Sequence, residues 1–465
     1  MNALKSLAVV GLLGSAMVLT TSADGAGADI NHSGLAGTIG KYGPVNGIHA
    51  YVLGSNTCNI GDASLSWINR GTPALAMNAY RLSNGRLVQI GVGNAKTACC
   101  VGNSSNPLCG TTCSSSGFGL RPGCMDTYSA GFNAGQGRLA PRSFINPQTG
   151  VVSTAYTNTT GDAIYRRLQV AQTDMEPATY PGALDFVEGH YVCTEDRQAG
   201  NDLNNASYGR VTLDAAFAMT SAGPFNIGRP AIYAWQDHGG GAGVPDPNVV
   251  IQNIDVPGEG RFIVASKITE VPPGSGNWHY EYAIHNLNSD RAASSFRVPL
   301  PAGANVTNAG FHDVWYHDDD AIYNGADWVQ PVSTFEVRWS TPQTYAQNVN
   351  ANAIRWGTMY NFWFDCDRAP VAGKAEIDLF KPIEPVGACK PQTVAFSVSV
   401  PSAGCDADIS RNGIVDVNDL LNVIAAWGPC PCSVNCPSNV DASGGNTSVD
   451  VNDLFKVITT WGGCP

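Results

Sequence analysis

Two periodicities divide the chain. Between residues 248 and 401 apolar and polar positions alternate, as in GRFIVASKITEV, the turn-rich PPGSGN and then WHYEYAIHNLN. In the last of these Trp278, Tyr280, Tyr282 and Ile284 fall on one side and His279, Glu281 and His285 on the other. That is the signature of a half-buried strand, here in a hairpin. Further strands are predicted at SFRVPLP, TFEVRWS, IRWGTMYNFWF, KAEIDLF and TVAFSVSV. Several short strands with turn punctuation predict an antiparallel β-sandwich, Ig-like, over residues 248–401. Residues 29–247 carry shorter alternating runs (IHAYVLG, RLVQIGVG, GRVTLDAAFAM) in a background of Gly, Ser, Asn and Thr, and predict a β-rich domain.

After Cys405 the period changes to that of a helix. The core VDVNDL..VI..WG is written twice, 34 residues apart. Val417, Leu420, Leu421, Ile424 and Trp427 line one helical face, and Gly428-Pro429 stops the helix. Val451, Leu454, Phe455, Ile458 and Trp461 repeat the stripe. Neither helix can bury its face alone, so the two copies are expected to pack face to face. The fold class is therefore mainly β, with a small all-α domain over residues 405–465.

A polar stretch precedes each helix. Calcium takes six to eight hard oxygen ligands, offered at alternate positions of a twelve-residue loop. Asp408, Ser410, Asn412, Asp416 and Asp419 fall at loop positions 1, 3, 5, 9 and 12, with Ile414 offering its carbonyl at 7 and Gly413 at the sharp turn of position 6. In the second unit Asp450 and Asp453 take positions 9 and 12, and Asn446 takes 5. Ser443 and Ser448 fill intervening stations. Using Asp441 as position 1 requires one extra residue, and Thr447 then stands where Gly is expected.

These residues resemble a type I dockerin, the duplicated calcium-loop-plus-helix module of cellulosomal proteins. They are closer still to the dockerin-like tails of many secreted planctomycete proteins. The resemblance implies calcium as cofactor and docking to a cohesin-like or other surface partner. Where cohesin-binding dockerins carry a hydroxyl pair just before the last ligand, this chain has Val417-Asn418 and Val451-Asn452.

Composition adds compartment and excludes partners. Charged residues are only 14% of 465, and the net charge is −12. An acidic chain repels phosphate backbones, so no nucleic-acid partner is expected. Lys5, the apolar run Leu7–Leu19 and the small residues after it predict a signal peptide over residues 1–28. No later stretch is long and apolar enough to span a membrane. Fourteen cysteines in an exported chain point to disulfides rather than zinc. CCVGNSSNPLCGTTCSSSGFGLRPGC is expected to be a disulfide-tied loop.

No familiar catalytic motif is present: G-x-S-x-G and H-E-x-x-H are both absent. The densest polar cluster is GFHDVWYHDDDAIYNGADW, where His312, Asp313, His317, Asp318, Asp319 and Asp320 offer metal-ligating or acid–base groups. Glu188 and His190 share a face in FVEGHYVC, and Asp237 adjoins His238 in QDHGGG. Glu188, Asp185, Asp237 and the Asp318 cluster are the carboxylates available for glycoside hydrolysis. The stretches GQGRLAPRS, FVEGHYV, WHYEYAIHNLNSDR and GFHDV resemble a group of secreted planctomycete proteins, which implies export but no mechanism. The expected function is that of a calcium-binding cell-surface or extracellular protein that binds glycan or a surface partner. The alternative is a secreted polysaccharide-degrading hydrolase.

Overall fold

The computed structural model describes residues 26–110, 112–113, 119–316, 323–385, 388–402, 404–430, 436–441 and 447–464. Residues 1–25, most of the segment 1–28 expected to be a signal peptide, lie outside these. The chain is mostly β: 41% strand and 12% helix, and every strand pairing among the described residues is antiparallel. Among the described residues no helix is long and apolar enough to cross a membrane.

The first half is built on a ten-stranded sheet. Leu184–Val192 and Ala74–Ser83 pair over nine residues at its centre, and Arg86–Val92 closes a hairpin with the latter. A smaller sheet of Ile30–Gly34, Ser55–Asn59, Cys124–Tyr128 and Ser104–Ser105 covers one end. Disulfides Cys58–Cys109 and Cys113–Cys124 staple the loop-rich stretch to it, as its composition led us to expect.

The second half has two sheets. One orders Val250–Val256, Gly260–Glu270, Trp278–Asn286, Thr358–Cys366 and Val306–His312. The other orders Glu336–Ser340, Ala293–Pro299, Val371–Leu379 and Thr393–Val400. Their facing residues form one core, including Phe262, Tyr280, Tyr282, Ile284, Phe296, Trp339, Phe362 and Phe364. The hairpin expected around PPGSGN is there, with Glu270 opposite Trp278. The sides were assigned correctly, but Trp278–Asn286 is not half-buried. Its other face is covered by the first half, where Ala283 and Met359 share a core cluster with Tyr80, Phe186, Tyr208 and Trp235. Two halves that each leave one sheet face apolar bury both faces by meeting.

Polar side chains complete the junction. Arg142 donates to the Gly357 and Met77 carbonyls at 3.1 and 3.0 Å and to Asn78 Oδ1 at 2.6 Å. Gln89 bridges the Gly357 carbonyl (3.3 Å) and the Met359 amide (2.7 Å). Asn361 reaches the Leu87 carbonyl at 2.9 Å. Gly357 has φ +69, and a Cβ there would meet Arg142 Nη1 at 2.7 Å, so both conformation and space call for glycine.

Beyond Cys405 lie two helices, Val417–Ala425 and Val451–Thr459. Each loop strand pairs with the segment after the other helix: Ile414–Val415 with Gly462–Gly463, and Ser448–Val449 with Gly428–Pro429. Disulfides Cys405–Cys464 and Cys430–Cys436 tie the unit.

Candidate functional site

The tail helices do not bury the stripe that their periodicity marks. Their small core is Ala407, Val415, Val423, Val449 and Val457, with Leu420 and Leu454 packed against it. Val417, Leu421, Ile424 and Trp427 are about half exposed, Leu421 at 55% and Trp427 at 53%. Val451, Phe455, Ile458 and Trp461 repeat this, Phe455 at 57% and Trp461 at 53%. Two adjacent apolar rows run along each helix. The row containing Leu420 and Val423 faces inward, and the row containing Leu421 faces solvent.

The first loop is fully ordered by its own carboxylates. Asp408 accepts from the amides of Asn412 (3.0 Å) and Gly413 (2.7 Å). Asp419 accepts from those of Ser410 (2.7 Å) and Asp416 (2.8 Å). Asp416 caps the helix through the Asn418 amide, and with Asp419 forms a capping box. Asn412 Oδ1 accepts from the Ile414 amide at 2.9 Å. Gly413, at position 6, has φ +82. These bonds shape the loop, and longer ones at 3.4 Å add to them: the Ser410 hydroxyl donates to Asp408 Oδ1, and the Asn412 and Asn418 side-chain amides donate to Asp416 Oδ2. Its side-chain donors are all hard oxygens, the set that suits calcium and not a soft metal. Among the described residues no group of three His, Cys, Asp or Glu side chains converges on one point. An ion here would therefore draw also on Ser410, Asn412, the Ile414 carbonyl and water.

The second loop has a different register from the one counted in the sequence. Asp453 accepts from the Asp450 amide at 2.8 Å, as Asp419 does from Asp416. Its other oxygen accepts from the Asp441 amide, twelve residues back, where Asp419 reaches Ser410 nine residues back. Asp441 thus stands at position 3, and the loop is longer by three residues rather than one. Asn439 takes the station of Asp408: each amide donates to a cysteine carbonyl three residues earlier, Cys436 and Cys405. Aligning the repeats on these cysteines would have found it. Ser448 lies in the paired loop strand, whereas Ser443 and Asn446 lie outside the described residues.

The first loop also rests on the body. A Cβ on Gly413 would meet Phe335 Cβ at 2.7 Å. Arg411 pairs with Glu376 at 3.2 Å and Lys374 with Asp406 at 2.8 Å.

In the body, the other sequence candidates separate. Glu188 has no exposed surface; it accepts from Asn78 (2.7 Å), Tyr80 (3.2 Å) and the Ala231 amide (2.6 Å). Such a carboxylate holds structure and cannot meet a polysaccharide. His190 shares its face as expected and lies edge-on to Trp356 at 5.8 Å. Burial, reinforced by His285 and Arg142, pushes its pKa down to about 3. Asp237 is engaged by Tyr208 (2.5 Å) and Arg229 (3.1 Å), and His238 accepts from the Gly243 amide at 2.8 Å. Asp313 is held by Asn352 at 2.5 Å, and burial raises it to about 6. Burial likewise raises Asp185 to about 6. His317, Asp318, Asp319 and Asp320 lie outside the described residues.

The residue patterns gave no sign of a cleft of about 690 Å³ where the two halves meet. The first half contributes Arg81, Arg86, Asp174 and Tyr180, and the second Lys267, Thr269, His279, Glu281, His312 and Trp363. The charges are pre-paired. Arg86 grips Glu281 with two bonds, 2.7 and 2.5 Å, and lies over the Trp363 ring at 3.6 Å. Lys267 pairs with Asp246 at 2.8 Å. His279 sits between Glu281 (3.2 Å) and Asp365 (2.6 Å), which raise its pKa against burial, Glu281 most. Burial lowers that of His312. The result is an array of fixed donors and acceptors beside aromatic carbon.

No family model matches the chain, and no curated protein does. Among solved structures it is compared with one described as "Biofilm associated protein - B domain", 8% identical, covering 72% of this chain and 73% of that one, at a TM-score of 0.12. A likeness that weak carries no argument.

Proposed function

We propose that the chain is an exported, calcium-binding cell-surface or extracellular protein whose tail docks on a surface partner. The observation that carries this is the pair of apolar rows on the tail helices, centred on Leu421 and Phe455. A small module that spends its apolar residues on solvent rather than on its own core has a surface built for contact. On this reading residues 405–465 are a dockerin-like domain with a cohesin-like or other surface protein as partner. Calcium would neutralise the clustered carboxylates and fix the helix starts. The two sheets of residues 248–401 are read as an Ig-like sandwich. Disulfides and the lack of a long apolar helix among the described residues are compatible with export.

The test is adsorption of the full chain to cell-envelope fragments of the producing organism, with calcium and with chelator. Leu421→Ser with Phe455→Ser should abolish calcium-dependent adsorption without lowering the melting temperature. Undiminished adsorption by that variant would sink the docking reading.

The junction cleft favours a second activity in the body, the binding of a glycan. Its volume lies in the range of small-ligand sites, which concentrate where domains meet. Pre-paired charges present directional hydrogen bonds to hydroxyls without demanding a charged ligand. Thr269→Trp, which fills the cleft, should abolish retention of the oligosaccharide that the native protein retains. Turnover of a polysaccharide, instead of retention, would make the protein a secreted hydrolase.

A further inference from the structure

Ten of the fourteen cysteines are disulfide-bonded or lie outside the described residues; Cys99, Cys100, Cys193 and Cys366 are free thiols. Cys193 and Cys366 are buried, but Cys99 and Cys100 are adjacent and solvent-facing. The neighbouring Cys99 thiol raises the pKa of Cys100. A cavity of about 380 Å³, lined by Ser64–Ile68, Val101 and Gly119, opens in front of them. The backbone beneath is fixed: the Ala98 carbonyl accepts from Arg70 at 2.8 Å, and the Cys100 carbonyl accepts from the Tyr128 hydroxyl. Arg138 and Lys96 are the cations that act on Cys100; Lys96 is buried over the Tyr128 ring at 3.6 Å, and burial lowers its pKa to about 7. The other cysteines of this region are already committed, Cys58 to Cys109 and Cys113 to Cys124.

We propose that Cys99 and Cys100 form a reversible redox site that closes to a vicinal disulfide by exchange with a disulfide oxidant, small or protein-borne. One thiolate attacks a sulfur of the oxidant and releases one thiol. The neighbouring cysteine then attacks the mixed disulfide and releases the second. Two electrons pass to the oxidant, and the two cysteine protons end on its thiols. Adjacent Cα atoms are about 3.8 Å apart, below the separation that disulfides prefer. Strained and exposed disulfides are the labile ones, so this bond should be reduced before the structural staples. That is why the pair can stand open in a chain whose other bridges are formed.

The test equilibrates the full chain with graded ratios of reduced to oxidised glutathione, quenches with acid, alkylates under denaturing conditions and weighs the peptides. At oxidising ratios the peptide carrying Cys99 and Cys100 should take up no alkyl group and be lighter by two hydrogens. At reducing ratios that leave Cys58–Cys109 and Cys113–Cys124 intact it should take up two. Cys193 and Cys366 should be alkylated throughout. Cys100→Ser should accumulate a glutathione adduct on Cys99 where the native chain shows none. Two alkyl groups at every ratio, or the same adduct on the native chain, would overturn the proposal. So would a bond that opens only together with the staples.

Discussion

The body and the tail treat their side chains in opposite ways. The body buries polar and titratable groups: Arg142, Glu188, His190 and His285 lie between its halves, and neither ring nitrogen of His285 has a hydrogen-bond partner among the described residues. The tail leaves Trp427, Phe455 and Trp461 half exposed over a core of five small aliphatic residues. The difference lies in what each region has to bury against. Two broad sheets meeting face to face enclose whatever lies between them, and that polar material must then find partners or stay neutral. A small module cannot enclose both apolar rows of two short helices. It hides one and presents the other.

The largest effect should come from breaking the buried network. Glu188→Ala leaves the donors of Asn78, Tyr80 and Ala231 facing one another and Arg142 without its nearby carboxylate. A loss of about 3–5 kcal/mol is expected from removing one member of a buried charged set. It is read from chemical denaturation, and a loss under 1 kcal/mol would show that the junction does not need the carboxylate.

Acid should separate the two regions next. Burial lowers His32 to about 4 and His190 to about 3. Each is neutral when folded and takes up a proton more readily unfolded. The stability they permit is therefore complete above pH 6.5 and is lost as pH falls towards their folded values. Asp196, raised by burial to about 8, acts oppositely, its contribution being lost as pH rises from about 4 towards 8. Replacing His190 by Asn should lessen the loss between pH 6.5 and 4 by about 3 kcal/mol relative to the native chain. Parallel curves of stability against pH for the two proteins would contradict the assignment.

A smaller effect distinguishes the loop registers. Asn439→Ala should weaken calcium binding at the second loop severalfold and leave the first unchanged. Equal affinities would remove Asn439 from the ligand set. The smallest effect on stability is expected at the exposed rows. Leu421→Ser should change it by no more than about 0.5 kcal/mol, as for an ordinary surface site. A larger loss would mean that the row is packed in solution and not open for contact.

Much of this was legible in the residue order, to different depths. Alternation located most strands of the second half, missing Val250–Val256 and Val306–His312, and put Tyr280, Tyr282 and Ile284 on one side and His279, Glu281 and His285 on the other, because side-chain direction in a strand is a local property. What covers the second side is not local. The cleft and the Glu188 network join residues up to about 280 positions apart, a relation that periodicity does not encode. In the tail the period marked chiefly the row that proves exposed, with Leu420 and Leu454 from the inward one, and passed over the buried Val423 and Val457. The first loop's spacing is regular, and its carboxylates order the loop as that spacing suggested. The second was misregistered because three inserted residues separate its opening from its end, while the cysteine frame that marks the opening was not used.

Calcium binding by the tail is the central proposal, and calorimetric titration of calcium into the chelator-treated full chain tests it most directly. Two sites are predicted. Asp419→Ala should remove or weaken the first at least tenfold, and Asp453→Ala the second. A titration with no calcium heat, or one whose stoichiometry and affinities are untouched by both substitutions, would contradict the central claim.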